Sequence, residues 1–181
     1  MFYVSELKNT PPEKYSTELQ KKVYETFAKL NIPYERVDTD PAITMDLCLL
    51  IDEKIGIKIV KTLFLCNRQQ TEFYLFATRG DRPFVTKDFS RALGISRVSF
   101  APSEKLLSMM GTVVGATTIL SALLDMGVEK KVKIVLDKEV TDSEWYGCSD
   151  GTVNGYLKVK LKYILEYFFN YTGHKPLIVN V

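Results

Sequence analysis

Residues 57–78 read IKIVKTLFLCNRQQTEFYLFAT. Two runs rich in β-branched and aromatic side chains, 57–66 and 72–78, flank the polar connection NRQQT. That pattern predicts a pair of strands. Upstream, Leu19, Val23, Phe27 and Leu30 recur at helical spacing and predict a helix over about 17–30, capped by Ser16 and ended by Asn31 and Pro33. IPYERVD (32–38) alternates like a short strand, DPAIT (40–44) reads as a turn, and Thr44 caps a second helix that Gly56 closes.

Downstream, a helix is expected over 87–93 up to Gly94, a short strand at RVSF (97–100), and a helix opened by Pro102 and Ser103 and stopped at Gly111. The loop TVVGATT (112–118) leads into the apolar ILSALLDMG (119–127), read as a helix. KVKIVLD (131–137) and GYLKVKL (155–161) read as strands. YILEYFFNYT (163–172) reads as a helix ended by Gly173, and LIVNV (177–181) as a last strand. Strands and helices intermingle without strict βαβ alternation, so the expected class is α/β with a mixed sheet and helices packed around it. No phosphate-binding glycine motif follows any strand, which argues against a doubly wound nucleotide fold.

The chain has 181 residues, 46% of them hydrophobic and 25% charged. That suits one globular domain with its own core and excludes a disordered chain. We expect a lead-in segment over 1–15, with 11–16 (PPEKYS) its least structured part, and the domain over 16–181. No apolar run reaches the length of a membrane span, and the N-terminus lacks a secretory pattern. Three widely spaced cysteines argue against a disulfide framework and for a cytoplasmic protein. A net charge of +2 neither demands nor excludes a polyanionic partner.

Exclusions narrow the chemistry. The single histidine, His174, follows Gly173 at a helix C-terminus, so a His-dependent triad or a His-rich metal site is not expected. Cys48 and Cys66 lie in apolar runs and read as buried small hydrophobes. Cys148, in the polar turn YGCSDGT, could face a pocket, but nothing nearby would activate it as a nucleophile. Three features hold interest. Lys61 falls on the face of its strand built from Ile57, Ile59 and Leu63, where a lysine must snorkel, pair or bind an anion. GTVVGATT, residues 111–118, could turn main-chain N–H groups toward a ligand; the ordinary alternative is a helix–loop–helix turn. CSDGT, residues 148–152, carries an Asp-Gly turn signal that equally suits a plain hairpin.

Together and in this order these pieces resemble the YbaK/ProX family of aminoacyl-tRNA editing domains, most closely its free-standing prolyl-tRNA synthetase-associated members. The resemblance runs through YERVDTDPAIT, KIVKTLFLCNRQQTEFYLFA, VTKDFSRALGISRVSFAPSEKLLSMMGTVVGATTILSALLD, KVKIVLD and YILEYFFNYTGHKPLIVNV. It is densest over KDFSRALGISRVSFAPSEKL. It implies a single α/β domain with a curved, mixed, barrel-like sheet flanked by helices. It also implies hydrolysis of alanine mischarged onto proline tRNA. The partner is then the acceptor end of that tRNA, with prolyl-tRNA synthetase a further one, and neither DNA nor a membrane. No cofactor or metal is implied.

The family's strand lysine falls on Lys61 and its glycine loop on Gly111 through Thr118. The resemblance makes Lys61 the holder of the terminal adenosine phosphate, and Gly115, Ala116 and Thr117 the main-chain donors to the ester oxyanion. Thr44, Gly111, Thr118, Cys148, Asp150 and Thr152 would line the substrate. Prolines usual in the loop are replaced by Val114 and Ile119. Two family histidines are replaced by Asp40 and by Gly147 or Cys148. Such departures keep two alternatives open: deacylation of another small amino acid, and a module that binds tRNA ends or a partner without catalysis. Basic residues in 79–97 and Lys158, Lys160, Lys162 and Lys175 could follow RNA phosphates, or form an ordinary mixed surface.

Overall fold

A computed structural model describes residues 1–42 and 44–181. Of the expected turn DPAIT, Ile43 lies outside the described residues. The two apolar runs form β2 (Val60–Cys66) and β3 (Phe73–Arg79), antiparallel in the register Val60↔Arg79 through Cys66↔Phe73. Strand β5 (Val132–Asp137) lies parallel to β3, and β8 (Leu177–Val179) parallel to β5. On the other side of β2, only its last residues meet the two-residue strand β4 (Ser99–Phe100). The sheet order is β4-β2-β3-β5-β8.

A second, three-stranded antiparallel sheet has β7 (Gly155–Lys160) at its centre, between β1 (Glu35–Asp38) and β6 (Trp145–Ser149). One parallel bridge, Ile59↔Gly147, links the two sheets at the start of β2. The assembly is therefore mixed and curved in the barrel-like sense expected. It is not a closed barrel: β1 and β8 do not pair.

The helices are α1 (Glu18–Lys29), α2 (Met45–Ile55), α3 (Thr86–Leu93), α4 (Ser103–Met110) and the short α5 (Lys138–Thr141). A last helical run comprises α6 (Leu161–Tyr163), a π turn over Ile164–Phe168 and α7 (Phe169–Thr172). The largest core joins Val23 and Phe27 of α1 to Leu75, Leu136, Leu157 and Phe168. A second packs Phe89 of α3 on Leu65, Tyr74 and Phe76. A third seats Ile51 and Ile55 of α2 on Val37, Ile59 and Tyr156. Among the described residues, no helix is long and apolar enough to cross a membrane.

Local departures from the sequence reading have simple causes. Strand β6 was not expected, because Gly147 interrupts its apolar pattern. A side chain there would have to displace the ends of two isoleucines: a Cβ on Gly147 would lie 2.8 Å from Ile57 Cδ1 and 3.0 Å from Ile59 Cδ1. The apolar stretch after Thr118 winds as a 3₁₀ turn over Ile119–Leu124, not as a helix to 127. Thr17, not Ser16, caps α1, accepting from the Gln20 N–H. Residues ahead of α1 are not loose throughout: the Ser5 N–H donates to the Asp38 carbonyl, and Lys8 exchanges main-chain hydrogen bonds with Arg36.

Candidate functional site

Strand β2 is bracketed on its outer edge. The bridge to Gly147 holds its start, and β4 holds its end. The Ala101 N–H donates to the Phe64 carbonyl at 2.9 Å, so the even-numbered residues of β2 direct their main-chain groups away from β3. Between the two ties, Thr62 faces outward with neither β4 nor β6 opposite it. A cavity of about 400 Å³ opens along this stretch, lined by all six residues Ile59–Phe64. Its other walls are Phe100, Ala101 and Leu106 near β4 and α4, Val114, Gly115 and Thr117 of the glycine loop, and Thr44, Cys48, Ser149 and Tyr156.

Of the residues singled out from sequence, this cavity unites Lys61, Thr44, Gly115 and Thr117. Lys61 is half-buried and its ammonium donates to the Arg82 carbonyl. Burial lowers its pKa from the ordinary lysine value, and the neighbouring Asp81 works against that shift. Thr44 stands at the N-cap of α2, but its hydroxyl makes no cap hydrogen bond, which leaves it available to the cavity. Gly115 adopts φ +90°, a conformation that costs other residues free energy. The Ala116 N–H is committed to the Val113 carbonyl at 3.0 Å and its side chain is fully buried. Of the three donors expected in the loop, those of Gly115 and Thr117 therefore remain without a partner among the described residues.

The other residues sit elsewhere. Gly111 is the left-handed C-cap of α4, and Thr118 caps the 3₁₀ turn. Cys148 points into the main core, where burial pushes its thiol up to about 12. A thiolate nucleophile is not available there. Asp150 and Thr152 form a closed polar knot in the β6–β7 turn. The buried Asp150 carboxylate accepts from Gln20 Nε2 at 2.9 Å, the Tyr24 hydroxyl at 2.8 Å and the Thr152 hydroxyl at 2.7 Å. A Cβ on Gly155 would lie 2.2 Å from Asp150 Oδ2, so only glycine fits opposite it. The knot pins α1 to the hairpin.

His174 is buried far from a catalytic role, between Thr172 Oγ1 and Asp125 Oδ2 at 2.9 and 3.0 Å. Burial lowers its pKa. Sequence reasoning missed Ser149 and Tyr156 as cavity walls, and the open edge at Thr62. The first two alternate with core residues along β6 and β7, but which face meets a cavity depends on pairing that only the fold sets. A larger cavity of about 700 Å³ lies beyond Ile59 and Val60. Both cations in its wall are paired, Arg79 with Asp81 and Glu139 and Lys58 with Asp81, while Asp46, Asp52 and Asp142 also line it. Lys158 and Lys160 cover the Trp145 ring, 4.7 and 5.4 Å from its centroid.

The sequence model of the aminoacyl-tRNA editing domain matches residues 55–167. The chain belongs to that family. The match starts at the end of α2 and takes in β2, the glycine loop and the β6–β7 hairpin, and so most of the cavity wall. Among curated proteins, the prolyl-tRNA editing protein ProX of Acetoanaerobium sticklandii is 29% identical over 112 residues, 62% of this chain and 67% of that protein. Two solved structures share the fold. A candidate trans-editing enzyme for prolyl tRNA synthetase superposes with a TM-score of 0.64 at 14% identity, over 92% of this chain and 99% of that one. The hypothetical protein APE2540 gives 0.65 at 17% identity, over 87% and 98%. This editing domain thus keeps the fold of its relatives while Ile57 and Ile59 occupy the space beside Gly147.

Proposed function

We propose that this editing domain is a trans-acting deacylase that hydrolyses alanine mischarged onto tRNA(Pro). One observation carries the reading. Lys61, Thr44 and two loop residues whose N–H groups lack a partner among the described residues, Gly115 and Thr117, line a single cavity, of a size suited to a small ligand. The relative's name, prolyl-tRNA editing protein, supports the choice of tRNA.

The roles follow from the chemistry. Lys61 gives one proton to Arg82 and keeps two for the phosphate of the terminal adenosine. Water attacks the ester carbonyl carbon, and the N–H groups of Gly115 and Thr117 meet the oxyanion that forms. Well-aimed donors of this kind are worth roughly 3–4 kcal/mol each. The bond to the ribose oxygen then breaks and that oxygen takes up a proton, which the neighbouring ribose hydroxyl can relay. The ester is already activated, so positioning replaces the missing histidines.

The test is hydrolysis of alanyl-tRNA(Pro) by the wild-type protein and by Lys61→Ala, beside a panel of tRNAs charged with other small amino acids. Turnover of the alanyl ester ahead of the panel, weakened in the variant, is expected. No hydrolysis of any ester would leave only a binding module, and a different amino acid ranking first would change the substrate.

A further inference from the structure

We infer that the open edge of β2 recognises the aminoacyl group itself, by forming a one-residue β-bridge to Thr62. This rests on the deacylase reading above and names the part of the substrate that the cavity reads.

The main-chain N–H and C=O of Thr62 point away from β3, for the reason given by the Ala101-to-Phe64 hydrogen bond. In an antiparallel pair, one residue offers its N–H and C=O together to the residue opposite. An α-aminoacyl ester has the same two groups: an amine that donates to the Thr62 carbonyl, and an ester carbonyl that accepts from the Thr62 N–H. The open stretch suits one such unit and nothing longer. From Val60 to Phe64 it spans about 13 Å at the rise of a strand, and both ends are tied. A peptide strand laid there would collide with β4 or with β6.

The direction is also set. Ala101 lies opposite Phe64, so a residue opposite Thr62 takes the place that β4 would have filled two residues on. The chain vacates that place because it turns at Pro102 into α4. The amine of the bound group then abuts Ala101 and Pro102, and its ester points toward the start of β2, where Arg82 holds the Lys61 ammonium. Opposed residues share a sheet face, so the substrate side chain lies beside that of Thr62, on the face of Phe64 and Leu106. The buried hydroxyls of Thr62 and Tyr146 already stand there side by side, with only each other within reach among the described residues.

The experiment compares three esters on one tRNA: alanyl, N-acetylalanyl and lactyl. An acetyl group on the amine would run into Ala101 and Pro102, so the N-acetyl ester should be hydrolysed more slowly by about tenfold or more, and the lactyl ester, which lacks the charged donor, also more slowly. Equal rates for alanyl and N-acetylalanyl esters would overturn the inference and leave the deacylase reading standing. Binding is read separately, by titrating ¹⁵N-labelled protein with the non-hydrolysable alanine amide of 3′-amino-3′-deoxyadenosine. Shifts at the Thr62 and Phe64 amides, absent with the N-acetyl form, are expected. Such shifts without turnover of any ester would sink the deacylase reading alone. Binding that leaves Thr62 unmoved, or no binding at all, would sink the bridge.

Discussion

Two polar regions of this molecule stand at opposite extremes of hydrogen bonding. In the Asp150 turn, the Gln20, Tyr24 and Thr152 side chains all converge on one buried carboxylate. Along the cavity, Thr62, Gly115, Thr117 and Thr44 line a space, and the loop N–H groups and the Thr44 hydroxyl have no partner among the described residues. Both regions look alike in sequence, as small and hydroxylated residues around glycine. The difference teaches that a polar cluster closed on itself holds the fold, whereas one left open is free to hold a ligand.

The largest expected effect breaks the closed region. Asp150→Ala strands two or three buried donors at roughly 1–3 kcal/mol each, so it should destabilise the protein by about 3–5 kcal/mol. A denaturant midpoint measures that loss, and a midpoint unchanged from wild type would mean the knot is not structural. Next comes the open region. Lys61→Ala should leave that midpoint nearly in place and lower the deacylation rate by about 10- to 100-fold, the worth of a charge-assisted hydrogen bond. A variant that loses stability instead would erase the contrast.

Gly115→Ala sharpens the contrast within the loop. Its φ of +90° makes any side chain strained by about 1–2 kcal/mol. The loop should relax and displace the donor, cutting kcat more than it raises KM. The smallest effect concerns His174. Burial lowers its pKa, so the unfolded chain binds a proton that the folded chain resists. From this group, stability should be level above pH about 6.5 and decline below it. Denaturant midpoints at pH 7 and pH 5.5 read the slope, which His174→Gln should reduce.

Much of this was legible from local pattern. The strands at 57–66 and 72–78 declare themselves by β-branched and aromatic density, and Gly56, Gly94, Gly111 and Gly173 do end helices in the left-handed conformation. What was not legible is non-local. Asp150 reads as a turn residue because its partner Gln20 lies 130 positions away. The open edge at Thr62 exists only because β4 is two residues long, and no local signal in β2 announces where a neighbouring strand will stop.

That bracketed edge has a consequence for how the cavity can change. Side-chain substitution can make it shallower, wetter or more greasy, but its length is set by how many β2 residues separate the Gly147 bridge from the β4 pairing. Strand residues alternate in face, so inserting one would turn Lys61 and Thr62 to the wrong sides. Length can therefore grow or shrink only in steps of two residues, about 6.6 Å at a time. A gauge with graduations that coarse admits one aminoacyl unit or a much longer one, and no gradual path leads between them.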